Sequence, residues 1–201
     1  MGHINEDIVS RGYHLGTGVY AGRYVMTMLG DYGHADTAYA VATSTTMPSW
    51  GFWLESGLST MAEGWELSSR SYDHHYWGSV SSYFYQSLAG IRASEPGYAK
   101  VLIKPNPPTG LEWVRGVVRT PQGNIESYWK REAGKLLLEA RIPQGCSAEI
   151  WLPAAGVRPA AQAEGVEFLR LDGQYAVYRG GPGSYRFEGR DGPVPVATPS
   201  S

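Results

Sequence analysis

One short stretch of the chain concentrates residues that could carry out sugar chemistry. Between Pro48 and Glu66 the sequence reads PSWGFWLESGLSTMAEGWE, with three tryptophans and three glutamates among turn-forming residues. The C–H face of a pyranose ring lies flat on an indole, whereas its hydroxyl groups need polar partners. Hydrolysis of a glycosidic bond also needs a pair of carboxyl groups. The stretch therefore indicates a carbohydrate site, and its candidate carboxylates are Glu55, Glu63 and Glu66.

A second motif follows a few residues further on. YDHHYW adds Asp73, His74 and His75 to the polar groups that could contact a sugar. The same residues also fit a purely structural interpretation, in which the tryptophans fill gaps under loops and the acids are solvated. Composition by itself favours a simpler explanation for the aromatic content, a β-rich fold with many turns, because the chain has 14 tyrosines, 7 tryptophans and 26 glycines.

Three other kinds of site find no support in the pattern. Adjacent His74 and His75 point in opposite directions on an extended chain, so three convergent zinc ligands are not supplied, and we predict no metal and no cofactor. GTGVYAG (16–22) lacks the preceding strand and the Lys-Ser/Thr ending of a phosphate-binding loop. No G-x-S-x-G motif occurs, and Cys146 has no histidine near it in sequence.

The composition also excludes several partners. With a net charge of −2, the 201-residue chain has no basic field, so nucleic acid is not expected as a partner. No apolar run approaches the roughly 20 residues of a membrane span. MGHINEDIVSRG at the N-terminus lacks the apolar core of a signal peptide. The chain is therefore predicted to be soluble and cytoplasmic by default, with the compartment itself unspecified.

The chain changes character near residue 95. Before it, apolar residues recur at helical spacing in GVYAGRYVMTMLGDYG (18–33), HADTAYAVATS (34–44) and GSVSSYFYQSLAGI (78–91). Gly30, Gly33 and Gly90 are predicted helix ends, and Asp36 is the predicted N-cap of the second helix. Long, glycine-rich aromatic loops are predicted between the helices.

After residue 95 the apolar period changes to two. Turn sequences separate eight predicted strands, in KVLIKP, LEWVRGVVRTP, NIESYWKRE, KLLLEARIP, SAEIWLP, VEFLRLD, YAVYRG and SYRFEG. Residues 96–190 are therefore predicted to form an antiparallel β-sandwich, with a barrel as the alternative. The Pro-rich residues 191–201 are predicted to be a disordered tail. Residues 1–95 hold too few helices for a core of their own, so we expect them to be the end of a larger helical domain.

Taken in order, several motifs resemble a known family. HLGTGVYAG, YGHADTAYAVATSTTMPSWGFWLESGLSTMAEGWE, DHHYWGSVSSYFYQSLAGI, PGYAKVLIKPNPP and TPQGNIESYW are together similar to the C-terminal portion of bacterial α-L-rhamnosidases, glycoside hydrolase family 78. The resemblance implies that residues 1–95 are the C-terminal part of an (α/α)6 six-hairpin barrel. It also implies that the complete enzyme hydrolyses terminal α-L-rhamnosyl residues with inversion.

The resemblance further implies roles for individual residues. STMAEGW matches the family's T-T-x-W-E-x-W, which makes Glu63 the general base that activates water. An acid roughly 6.5–9.5 Å away would protonate the leaving oxygen. Trp65 would form an apolar wall against the sugar, and His74 would hydrogen-bond its hydroxyl groups. Trp50 and Trp53 would lie in the loop that frames the pocket.

Three departures from the family pattern lie close to these residues. Ala62 replaces a tryptophan, Asp73 replaces an asparagine, and Gly64 stands where the family often has arginine. The general acid is expected upstream of residue 1, so the isolated chain should be inactive and should expose barrel surface that favours self-association. The alternatives are a non-catalytic carbohydrate-binding fragment and a structural fragment with no independent function.

Overall fold

The computed structural model describes residues 1–159 and 164–190 and divides the chain into two compact units. The first unit is Met1–Tyr83, and the second begins at Phe84. This division by packing falls earlier in the chain than the domain boundary predicted at residue 95. The tail predicted at 191–201 lies outside the described residues.

Six α-helices build the first unit. They are α1 (Gly2–Ser10), α2 (Val19–Asp31), α3 (Ala35–Thr43), α4 (Trp50–Glu55), α5 (His75–Gly78) and α6 (Val80–Tyr83). The helices predicted over 18–33 and 34–44 are confirmed as α2 and α3, whereas α1, α4 and α5 are additional. Helix α4 begins after Ser49, whose Oγ accepts a 3.0 Å hydrogen bond from the N–H of Phe52. A serine cap thus starts a helix where the aromatic composition indicates only loop.

Two predicted helix ends are wrong in detail. The N-cap residue of α3 is His34, and Asp36 lies in the first turn of that helix. Gly30 is buried inside α2, whereas Gly33 follows the helix with φ 82°. The helix predicted over 78–91 is interrupted, because α6 gives way to a π-helical turn (Phe84–Leu88) and Ile91 begins a strand.

One face of α2 is largely uncovered. Tyr20, Tyr24, Met28 and Tyr32 follow one another at intervals of four residues and are 71%, 57%, 40% and 58% exposed. The opposite face of the helix holds the buried Val25, Met26 and Leu29. An apolar stripe at this spacing normally packs against another helix. The first unit therefore presents two apolar faces on α2 and covers one of them.

Nine strands build the second unit as far as its residues are described. They are β1 (Ile91–Ala93), β2 (Lys100–Ile103), β3 (Trp113–Thr120), β4 (Gly123–Glu132), β5 (Lys135–Ile142), β6 (Ser147–Pro153), β7 (Val166–Asp172), β8 (Tyr175–Gly180) and β9 (Gly183–Arg190). The eight predicted strands are confirmed as β2–β9. A 3₁₀ turn (Pro96–Tyr98) precedes β2.

The strands form two sheets that pack face to face. One sheet has the order β1-β2-β6-β8-β7 and the other the order β3-β4-β5-β9. Their inner faces share one core, to which Ile103 and Ile150 contribute from the first sheet and Trp129 and Leu138 from the second. The predicted sandwich is therefore confirmed. Its pairing is antiparallel except between β2 and β6, which run parallel with Val101 opposite Ala148.

The turn that leads into β1 depends on one glycine. Gly90 has φ 74°, and a Cβ atom there would lie 2.2 Å from the backbone nitrogen of Pro105. We expect Gly90→Ala to lower the free energy of unfolding by about 2–4 kcal/mol, since the left-handed backbone and the clash both oppose a side chain. Urea unfolding of the 201-residue chain measures this loss.

Gly97 supplies a matched control for this substitution. It has φ 66°, but a Cβ atom there would meet no atom within 4 Å. Gly97→Ala should therefore cost only about 1–2 kcal/mol from the backbone conformation. Equal losses of unfolding free energy in the two variants would show that the close backbone approach at Gly90 does not contribute to the effect of the substitution.

Candidate functional site

Four indole rings form one cluster in the first unit. Trp65 stacks on Trp53 with ring centroids 4.4 Å apart and lies 4.3 Å from Trp77 on another side. Trp50 meets both Trp65 and Trp77 edge-on, at 5.5 and 5.9 Å. Trp50, Trp53 and Trp77 are buried, whereas Trp65 is half-buried. The cluster therefore presents one partly exposed indole on a base of three buried ones.

The same indoles fix the surrounding loops through their N–H groups. Trp53 donates from Nε1 to the carbonyl of Trp65 at 3.1 Å, and Trp77 donates to the carbonyl of Glu63 at 3.0 Å. Trp50 donates to the carbonyl of Trp77 at 3.1 Å. Each buried tryptophan thus satisfies its only polar atom on a backbone carbonyl. The loop from Glu63 to Trp65 is consequently held at both ends by indole donors.

Glu63 lies at the surface on a fixed backbone. Its N–H donates to the carbonyl of Ser71 at 3.0 Å, and its carbonyl accepts from Trp77. Its side chain is exposed, and the carboxylate makes no hydrogen bond or ion pair with any residue in 1–159 or 164–190. An anchored backbone with an unpaired carboxylate leaves that group available to a ligand or to water.

His74 is tied to the same loop. Its N–H donates to the carbonyl of Met61 at 2.8 Å, and its half-buried ring lies 5.4 Å from Tyr76. The Nδ1 atom is buried and has no hydrogen-bond partner among the described residues. A buried polar atom without a partner costs about 1–3 kcal/mol. A buried polar atom without a partner needs an explanation, and a role in a functional site is one such explanation.

The structure brings most of the predicted site residues together. Glu63, Trp65 and His74 belong to two backbone segments joined by hydrogen bonds, as described above. Trp50 and Trp53 adjoin them but are only 6% and 2% exposed, so their rings lie beneath Trp65. Their predicted contact with substrate stays a prediction. The structural interpretation of these two tryptophans as buried packing residues agrees with their burial.

Two residues of this region were not singled out from the sequence. Trp77 supports the cluster and holds the carbonyl of Glu63. Tyr76 lies between the histidine rings and the exposed Tyr20, at 4.2 Å from His75 and 4.8 Å from Tyr20. The available signal was the continuation of the YDHHYW motif, whose last two residues are these aromatics.

The departures from the family pattern also have defined positions. Ala62, which stands where the resemblance implies a tryptophan, is fully buried. Asp73 is exposed and its N–H donates to Ser71 Oγ at 3.4 Å. The N–H of Gly64 donates to Ser69 Oγ at 3.0 Å. A Cβ at Gly64 would meet first the carboxylate end of Glu66, which can move aside.

The described part of the chain offers no cluster of three or more His, Cys, Asp or Glu residues arranged to hold a metal ion. Within that same part, no helix has both the length and the apolar character to cross a membrane.

The first unit is built of helices, and the second unit is a β-sandwich of two sheets. Residues 2–88 match the six-hairpin glycosidase domain of bacterial α-L-rhamnosidases, and residues 90–167 match the C-terminal domain of the same enzymes. The chain belongs to the bacterial α-L-rhamnosidase family.

Individual relatives agree with this assignment. An α-L-rhamnosidase of Streptomyces avermitilis is 30% identical over 190 residues, and one of Formosa agariphila is 35% identical over 161 residues. The crystal structure of the Streptomyces avermitilis enzyme complexed with L-rhamnose superposes with a TM-score of 0.82 at 31% identity over 90% of this chain. The α-L-rhamnosidase of Dictyoglumus thermophilum gives 0.80 at 31% identity over 92% of this chain.

The chain is much shorter than these relatives. It spans 18% and 17% of the Streptomyces avermitilis and Formosa agariphila enzymes, and 22% of the Dictyoglumus thermophilum structure. The matched portion includes the segment that holds Glu63 and Trp65.

Proposed function

We propose that this chain supplies the general base and part of the sugar-binding wall of a glycoside hydrolase that removes terminal α-L-rhamnosyl residues with inversion. The observation that carries the proposal is the exposed, unpaired carboxylate of Glu63 on a backbone anchored at both its N–H and its carbonyl. The relatives named as α-L-rhamnosidases support the choice of sugar.

The geometry of Glu63 suits a base better than it suits an ion pair. Proton transfer requires a group held in place while its carboxylate remains free to accept a proton. The two backbone hydrogen bonds restrict the Cα of Glu63, and no cation among the described residues neutralises the side chain. A water molecule bound by Glu63 would lose a proton to it while attacking the anomeric carbon.

The neighbouring side chains suit the rest of a sugar ring. The partly exposed indole of Trp65 offers an apolar surface to ring C–H bonds or to the methyl group of a 6-deoxy sugar. His74 offers ring nitrogens for hydroxyl groups, and its Nδ1 lacks a partner among the described residues. We propose that Trp50 and Trp53 contribute to binding by supporting Trp65 from below.

Inversion also needs an acid that protonates the leaving oxygen. We propose that this acid belongs to the remaining hairpins of a complete six-hairpin domain, outside the 201 residues. Those hairpins would also cover the exposed face of α2, where Tyr20 and Tyr24 stand. Without them, the chain is expected to hydrolyse rhamnosides poorly and to self-associate through that face.

A chimera tests the proposed function directly. Residues 2–190 would replace the matching segment of the Streptomyces avermitilis enzyme, which supplies the other hairpins. We expect the chimera to hydrolyse 4-nitrophenyl α-L-rhamnoside, with β-rhamnose as the first product seen by proton NMR, and the 201-residue chain alone to be inactive. A chimera that melts cooperatively but shows no hydrolysis would overturn the catalytic assignment.

One observation favours a second function, a carbohydrate-binding protein without catalysis. Ala62 stands where the resemblance implies a tryptophan beside the base, and its buried methyl group offers no surface to a sugar. Under that function, the folded chimera would bind rhamnose without hydrolysis. Isothermal titration of the chimera with L-rhamnose therefore separates the two functions.

Substitution of Trp65 tests the sugar wall. We expect Trp65→Ala in the chimera to raise KM by about tenfold with a smaller effect on kcat, because the indole contributes apolar contact to the bound sugar in both ground and transition states. Steady-state kinetics with the aryl rhamnoside measure the change. Leu67→Ala, two residues further along the same loop and also exposed, provides the control, for which KM should stay within about twofold.

A further inference from the structure

The outer face of the four-stranded sheet carries a groove of about 530 Å³. Side chains from all four strands line it, and every one of them belongs to the second unit. Those that matter here are Arg115, Glu126, Tyr128, Glu139, Arg141 and Arg186. The groove therefore shares no residue with the Glu63 site.

Strand register sets the order of charges across this face. Arg115 lies opposite Tyr128, and Tyr128 lies opposite Glu139, which in turn lies opposite Arg186. Two residues further along the same face, Glu126 lies opposite Arg141. Directly opposed residues on one face of a sheet are close neighbours. Arg115, Tyr128, Glu139 and Arg186 thus form one row across the four strands.

The groove carries an excess of positive charge. Glu126 accepts from Arg115 at 2.9 Å and from Arg141 at 3.4 Å, so a single carboxylate serves two guanidinium groups. Three lining arginines face two lining glutamates, whereas the chain as a whole has a net charge of −2. The groove is therefore locally complementary to an anion on a protein that is otherwise weakly acidic.

The arginines retain hydrogen-bonding capacity. A guanidinium has five N–H donors, and Arg115 bonds to Glu126 through Nη2 while Arg141 bonds through Nη1. Their side chains are 61% and 65% exposed. Their remaining N–H groups can bind a planar carboxylate in the bidentate manner that arginine favours.

Aromatic rings stand on the same face. Tyr128 lines the groove, and the 59% exposed Trp113 lies beside it with ring centroids 6.5 Å apart. An exposed tryptophan next to exposed arginines offers a flat apolar surface flanked by hydrogen-bond donors. A carboxylate-bearing sugar ring presents the matching combination of a C–H face and a planar anion.

We propose that this groove binds an oligosaccharide that contains uronic acid residues. The arginines of the groove bind the carboxylates of the sugar, and the glutamates accept hydrogen bonds from its hydroxyl groups. Trp113 and Tyr128 contact the C–H faces of the sugar rings. The anionic character follows from the groove itself, and the choice of a carbohydrate rests on the proposed function. The groove would hold a polysaccharide near a hydrolase that trims its rhamnosyl residues.

Isothermal titration of the 201-residue chain with hexagalacturonate tests the proposal, with maltohexaose as the neutral comparison. We expect the uronate to bind and maltohexaose to bind at least tenfold more weakly. Arg115→Gln should weaken uronate binding by about tenfold, since it removes charge-assisted hydrogen bonds. Trp113→Ala should weaken it by about fivefold. Arg179→Gln is the matched control, because Arg179 is equally exposed in an ion pair with Glu167 on the other sheet, and it should leave binding unchanged.

Three results would overturn the proposal. They are absence of uronate binding by the folded chain, equal binding of maltohexaose, and equal binding of a hexaglutamate peptide, which would indicate a general anion surface. Glu63→Gln should leave uronate binding unchanged, and L-rhamnose should not compete with it. If the folded chain did not bind uronate and the chimera were active, the proposed uronate site would be rejected and the hydrolase assignment would be unaffected.

Discussion

Replacing Glu63 by glutamine in the chimera is expected to lower kcat for an aryl α-L-rhamnoside by about 10²–10⁴-fold, with little change in KM. Glutamine keeps the size and hydrogen-bonding reach of the side chain but cannot accept a proton from water. The backbone of residue 63 is held by Ser71 and Trp77, so the substitution should leave the loop in place. Steady-state kinetics on the two forms measure the ratio.

Glu66→Gln is the matched control for that experiment. Glu66 is an exposed glutamate three residues along the same loop, and its position does not correspond to the family's base. Its variant should retain activity within a few-fold of the parent. If Glu66→Gln were inactive and Glu63→Gln active, the general base would be Glu66 and not Glu63.

Replacing Trp77 by alanine is expected to lower the stability of the 201-residue chain by about 3–5 kcal/mol. Trp77 is 2% exposed, and its ring packs so closely on α2 that a Cβ at Gly22 would lie 2.4 Å from it. The substitution also removes the donor that holds the carbonyl of Glu63. Urea unfolding followed by far-ultraviolet circular dichroism measures the loss.

Two further variants serve as comparisons for Trp77→Ala. Trp77→Phe keeps an aromatic ring but removes the indole N–H, so we expect the loss of the hydrogen bond to cost about 0.5–1.5 kcal/mol besides any packing change. Trp113→Ala removes an indole that is 59% exposed and should change stability by about 0.5 kcal/mol or less. If Trp77→Ala cost no more than Trp113→Ala, the indole cluster would not be a stabilising core.

The strands of the second unit could be predicted from the sequence because their side chains alternate in burial. Strand β9, for example, alternates exposed Ser184, Arg186 and Glu188 with buried Tyr185 and Phe187. The parallel pairing of β2 with β6 could not be predicted in this way. Alternation specifies which face of a strand is buried, but it carries no information on which strand lies beside it.

The helices show where periodicity fails. Helix α2 has a clear apolar period and was predicted, but α4 has six residues with two buried tryptophans and no repeat long enough to detect. Its start depends on the capping hydroxyl of Ser49, a local signal that many loops also contain. The spacing of Ile91 fits a helix, but backbone pairing with Ile103 places this residue in a strand.

The candidate site could be predicted in part through the family resemblance. That resemblance singled out Glu63, Trp65 and His74, whose backbone segments the structure joins. It gave no indication that Trp50 and Trp53 are buried, since burial depends on ring packing among distant residues. The hydrogen bond from Trp77 to the carbonyl of Glu63 could not be predicted from the sequence either, because it joins residues fourteen positions apart.

The four tryptophans of the first unit all belong to the cluster beneath Glu63, and three others lie in the second unit. Rigidly packed aromatic rings give signals in the near-ultraviolet dichroism spectrum that vanish when side-chain packing loosens. Neighbouring indoles in this cluster, with ring centroids 4.3–5.9 Å apart, should also couple their electronic transitions. The near-ultraviolet dichroism spectrum of this protein should therefore report on the order of the Glu63 loop. Binding of a sugar to Trp65 should change that spectrum without any added label.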